Sequence, residues 1–214
     1  MTNKYQRYFS LIAAAVFIFG TLILGMMDEN YNAIAQTVSE IGKLGSALEI
    51  PYRIMMFFVA GASLMFCRAL YIFVKTNHMA RLPVFLIAFF ALMDFGFAIF
   101  PSPHKYHNVF GLLHLIGYMA PLFVAMNWRN KLSQYHVIGV SWLAFAAICV
   151  FMFLNLSPMF LRELYPLEYY GVMQRALLYT YYAWLGFLGV VFAGTLSSII
   201  PGSPIDANGL AGLS

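Results

Sequence analysis

The chain has 214 residues, of which 62% are hydrophobic, 18% aromatic and only 9% charged, with a mean hydropathy of +0.78. Soluble domains carry about a quarter charged residues, so a chain this apolar has no surface to offer water and reads as a polytopic membrane protein. Its net charge of +4 comes from basic residues scattered at span ends, with no run long enough to track a phosphate backbone, which excludes nucleic acid and leaves membrane lipids as the expected partner.

At about twenty residues per crossing the length holds five to seven spans. The first is expected at 8–27. Lys4 and Arg7 ahead of Tyr8 resemble the start of a secretory signal. The apolar stretch is nevertheless as long as a full span, and no small-x-small cleavage site precedes Asp28. A long polar connection follows. Within it Ile34, Val38, Ile41, Leu44 and Leu48 recur at helical spacing, which predicts a short amphipathic helix over 32–48, lying on the membrane surface or capping the bundle and broken by Gly42 and Gly45. Further spans are expected at 52–74, 83–101, 108–127, 136–155 and 171–200. Residues 201–214, rich in Gly and Pro, read as a flexible cytoplasmic tail.

The predicted fold class is therefore all-α, a transmembrane bundle of about six helices in one domain over 1–200. Helices satisfy every backbone group in lipid, and the segments are too long for barrel strands. The purely basic loops Lys75–Arg81 and Trp128–Lys131 place both termini in the cytoplasm and the connections after spans one, three and five outside. The expected location is the cytoplasmic (inner) membrane. Cys67 and Cys149 fall inside spans and read as buried small hydrophobes. Oligomeric state leaves no mark in the sequence.

Asp94 is the anomaly, a carboxyl inside span three that needs a partner, a proton or a polar cavity. It lies seven residues before Pro101, and His114 lies seven residues after His107. At about 1.5 Å per residue both sit about 10 Å below one boundary of the bilayer. His107, Gly111, His114 and Tyr118 form one helical stripe, and Arg175, Tyr179, Tyr182 and Gly186 form another. Together with Phe90, Asp94 and Phe97 these stripes predict a polar, aromatic-lined pocket open to the outer leaflet.

Three roles for that pocket stay open on the residues alone. Asp94 and His114 can be a buried structural pair that fixes helix register. They can hold a ligand, with Arg175 and Arg53 receiving an anionic headgroup and Gln174, Tyr118 and Tyr179 lining the approach. Or Asp94, His107 and His114 can be catalytic, one histidine acting as general base on a lipid or lipid-linked substrate. A proton relay through Asp94 and His114, as in a proton-coupled transporter, is weaker because one helix alone carries a deep acid and no inverted repeat is visible. His104, His107, His114 and Asp94 would be a chemically adequate zinc set. His104 precedes the helix, however, so zinc is not favoured and no cofactor is assigned. Ser39 and Glu40 share the outer side with this constellation. No nucleophile-elbow pattern surrounds Ser39, which favours a local hydrogen bond over nucleophilic catalysis.

The order of these features carries a resemblance. Ser39-Glu40-Ile41-Gly42 within Tyr31 to Gly42, Asp94 with Gly96 and Phe100-Pro101, His107 or His114 in the next span, and Gln174-Arg175 opening the last resemble the signature of a small bacterial and archaeal membrane family. That family is known only as a domain of unknown function, the nine-nine-eight family. The resemblance covers residues 8 to about 195 and implies a compact bundle of about six helices in the cytoplasmic membrane, with no activity. More distantly, Ser39 through Pro51-Tyr52-Arg53 and Arg68 is similar to the second-span region of Frag1/DRAM/Sfk1-type lipid-associated membrane proteins, which implies a lipid as ligand.

Overall fold

With no water in the bilayer core to satisfy N–H and C=O groups, long apolar segments close their hydrogen bonds internally. In a computed structural model, which describes residues 8–132, 136–161 and 164–199, they do so as helices. These are α1 (Phe9–Met27), α2 (Glu49–Thr76), α3 (Leu82–Ile99), α4 (His107–Gly117), α5 (Ala120–Asn127), α6 (Arg129–Leu132), α7 (Val137–Leu156) and α8 (Tyr170–Ile199). No strand occurs among the described residues. Lys4, Arg7 and the tail expected at 201–214 lie outside the described residues.

Six stretches are long and apolar enough to cross a membrane: Phe9–Met27, Glu49–Thr76, Leu82–Ile99, His107–Asn127, Val137–Met159 and Leu167–Ala193. Their outward faces are greasy. Leu143 is 71% exposed and Leu112 67%, which water would penalise and lipid does not. The chain is a multi-pass membrane protein, and its six described crossings are helical, as expected.

Two expectations are corrected. The fourth crossing is two helices rather than one, because α4 stops at Gly117 and α5 restarts at Ala120. Pro121 has no N–H to offer the carbonyl one turn back, and the chain turns through Tyr118 and Met119 instead. The amphipathic helix expected over 32–48 is a strap of turns that holds a single 3₁₀ turn, Val38–Glu40. Its polar side chains take the backbone groups a helix would have used. Asp28 accepts from Asn30 N (3.0 Å), Gln36 from Asn32 N (2.6 Å) and Asn32 from Ile34 N (2.9 Å). Thr37 and Glu40 close a capping box. Gly45 has a positive φ of 79°, a conformation that side-chain-bearing residues avoid.

The helices form a closed ring. α1 packs on α2 and α8, α2 on α3, α3 on α4 and α5, α5 on α7, and α7 on α8. The last span thus meets the first. The core lies along the axis of the ring, where Phe17, Phe90, Tyr181, Tyr182 and Leu185 are all buried.

Candidate functional site

Asp94 and His114 meet in the middle of the ring. They are 1% and 3% exposed, and His114 Nε2 lies 3.4 Å from Asp94 Oδ1. That is ion-pair distance without hydrogen-bond alignment, so His114 Nε2 is a buried nitrogen with no hydrogen-bond partner. The second carboxyl oxygen is satisfied from across the ring, where Tyr182 O–H donates to Asp94 Oδ2 at 2.7 Å. α3, α4 and α8 each contribute one member. The match of depth between α3 and α4 was the basis for expecting the first two to meet.

An aromatic shell encloses this polar core. The Phe90 ring stacks on His114 at 3.6 Å and on Tyr181 at 3.7 Å. Phe97 stands edge-on to His114 at 5.3 Å, as Tyr118 tilts against it at the same distance. Phe17 stacks on Tyr182 at 4.0 Å. Tyr181 O–H, fully buried, also has no hydrogen-bond partner, and its ring stands edge-on to Tyr118 at 5.5 Å. Tyr52, on α2, is buried as well.

The remaining predicted residues fall elsewhere. Arg175, 8% exposed, is spent on the strap. Its Nη1 donates to the carbonyls of Ala33, Gln36 (2.9 Å) and Gly171 (3.0 Å), and its Nη2 donates to Tyr31 Oη. Gln174 accepts from Val38 N at 2.7 Å. Tyr179 shares a hydrogen bond with Thr21 Oγ1 at 2.8 Å. Ser39 bonds Thr37 locally at 3.2 Å, and Glu40 serves as the capping-box acceptor. Arg53 donates to Ala98 O (2.8 Å) and pairs with Glu49 (3.1 Å).

Of the four residues considered for zinc, only Asp94 and His114 come together. His107 Nδ1 is bonded to Phe100 O at 2.8 Å, and His104 accepts from Tyr106 N at 3.2 Å. No group of three or more His, Cys, Asp or Glu side chains able to hold a metal occurs among the described residues.

Three participants carried little sequence signal. Tyr182 stood on the Arg175 stripe but could not be ranked above its neighbours. Tyr181 and Tyr182 point about 100° apart on one helix, and periodicity does not say that both face a closed ring's axis. Tyr31 opens the Tyr31 to Gly42 stretch, but nothing in that pattern pairs it with Arg175; burial raises its pKa above the ordinary phenol value, outweighing the nearby Arg175 guanidinium.

The ring of apolar spans around one buried carboxyl–imidazole–phenol cluster defines a polytopic helical membrane protein with an internal polar centre. Residues 11–191 match the family described as Protein of unknown function (DUF998), and the chain belongs to that family. No curated protein and no solved structure matches it.

Proposed function

We propose that this protein binds the polar group of a membrane lipid or other amphiphile at the Asp94–His114 centre. One observation carries the reading. His114 Nε2, buried 3.4 Å from Asp94 Oδ1, lacks a hydrogen-bond partner, and so does the buried Tyr181 O–H. Buried polar groups left unpaired in a native protein call for an explanation, and a ligand supplies one. A hydroxyl or amide can accept from or donate to Asp94 and His114 together. The surrounding Phe90, Phe97, Tyr118 and Tyr181 rings suit an apolar body attached to it, the usual pairing of a few polar atoms with an aromatic lining. Ligand and protein would meet in the cytoplasmic membrane. The strap would face outwards and both termini inwards, following the basic Lys75–Arg81 and Trp128–Lys131 loops.

The test is thermal unfolding of the protein in nanodiscs against amphiphiles bearing hydroxyl, amide and phosphate heads. A ligand at about 100 times its Kd stabilises by about 2.7 kcal/mol. At least one head group is expected to raise Tm in wild type and to leave Asp94→Asn unmoved, while the unliganded Tm of that variant stays near wild type. If no amphiphile shifts Tm and both Asp94→Asn and His114→Ala unfold early, the pair is structural and the reading falls.

The approach of His114 to Asp94 supports a second reading, an intramembrane enzyme in which Asp94 orients His114 as general base towards a bound lipid. Mass spectrometry of the lipids after incubation with protein separates the two. Turnover would appear as a product formed by wild type and absent with His114→Ala.

A further inference from the structure

We infer that the strap, residues 28–48, is a gate over the Asp94 centre, latched to α8 by Arg175. The inference rests on the reading that the centre exchanges a ligand with one side of the membrane. The strap crosses the end of the ring. At one side Val172 N donates to Ile34 O (3.1 Å), Val38 N donates to Gln174 (2.7 Å), and the Arg175 guanidinium holds the Ala33 and Gln36 carbonyls. At the other, Leu44 N donates to Ser102 O (2.8 Å) in the α3–α4 connection. It therefore ties together the ends of α3 and α8, the two helices that share the Tyr182–Asp94 hydrogen bond.

Beneath the strap its residues pack closely on the helices that carry the centre. Val38 and Ile41 are buried. Gly42 lies so close to Tyr52 that an added Cβ would fall 2.2 Å from its ring. Tyr52 in turn is buried on α2, which packs on the Asp94 helix α3. On the α8 side Gly171 lets the strap come down, since a Cβ there would meet Gln36 O at 2.3 Å, Ala33 O at 2.7 Å and Ile34 O at 2.8 Å.

The strap is held at its two anchors by the hydrogen bonds named above and contains a single 3₁₀ turn, so breaking those bonds and lifting Val38 and Ile41 would open it while the spans stay folded. Arg175, Tyr179 and Tyr182 are spaced by four and three residues, so latch and centre occupy one face of α8. Loosening the latch would uncover the centre in which Tyr182 donates to Asp94.

The experiment is carboxyl labelling of the full-length protein in nanodiscs with a water-soluble carbodiimide and an amine. Asp94 modification is read by peptide mass spectrometry, and hydrogen exchange at the Val38 and Leu44 amides is followed in parallel. Asp94→Asn fixes the background. Wild type is expected to label slowly, and Arg175→Lys and Gly171→Ala at least ten times faster, with strap amides exchanging faster by a similar factor. Arg175→Lys keeps the charge and is the milder change, so it serves if Gly171→Ala fails to fold. Unchanged Asp94 labelling in a variant with a loosened strap would overturn the gate. So would strap exchange that does not respond to Arg175→Lys, or rapid wild-type labelling under a protected strap. No ligand enters this measurement, so an absence of Tm shifts with amphiphiles would remove the ligand reading while leaving the gate standing.

Discussion

At the scale of single residues the decisive contact is the hydrogen bond from Tyr182 to Asp94 across the ring. Removing the donor leaves a buried acceptor unsatisfied, which costs about 1–3 kcal/mol. Tyr182→Phe keeps the ring that stacks on Phe17, so the loss of stability on unfolding in nanodiscs should fall in that range. Asp94→Asn retains an acceptor and should cost less than Tyr182→Phe. Tyr31 provides a second residue-level expectation, this time in pH. Burial raises its pKa above the ordinary value of 10.0, with Arg175, Glu40 and Tyr179 as its charged and titratable neighbours. The folded protein holds that proton more tightly than the unfolded chain. The contribution is therefore intact below about pH 10 and is lost as pH climbs from there through the raised folded value. Alkaline destabilisation followed by hydrogen exchange in the strap should be reduced in Tyr31→Phe.

At the scale of elements the strap shows where sequence periodicity stops being informative. Val38, Ile41 and Leu48 are buried as a helical stripe would have them, yet Ile34 and Leu44 are half exposed. Apolar spacing identified residues that face the bundle. It did not register that the Asn32, Gln36 and Glu40 side chains would accept from nearby backbone N–H groups and so hold the segment in turns. The break between α4 and α5 has a similar origin, since one proline withdraws one donor inside an otherwise continuous apolar run. Because the capping box orders the Val38–Glu40 turn, Thr37→Ala should cost about 1 kcal/mol. Its effect should appear first as faster exchange at Val38 and Glu40, with the spans unaffected.

At the scale of the molecule the spans were legible because bilayer thickness and helical rise set their lengths, and the meeting of Asp94 with His114 followed from depth on consecutive antiparallel helices. Depth could not assign Arg175, because a long side chain near a helix end reaches either towards Asp94 or towards the strap, and carbonyls 139 and 142 residues away claimed it. The ring order, with α8 against both α1 and α7, depends on contacts between the ends of the chain that no local pattern encodes. A chain stopped before α8 should therefore accumulate poorly in membranes, even though five of its six crossings are present, and immunoblotting of membrane fractions checks this. Ring closure also has a consequence in time. Tyr182 follows Asp94 by 88 residues, and synthesis proceeds at about 5–20 residues per second. For roughly 4–18 s each new copy holds a carboxyl in a partly built membrane bundle without its phenol. The emergence of α8, which carries Tyr182, ends that exposure.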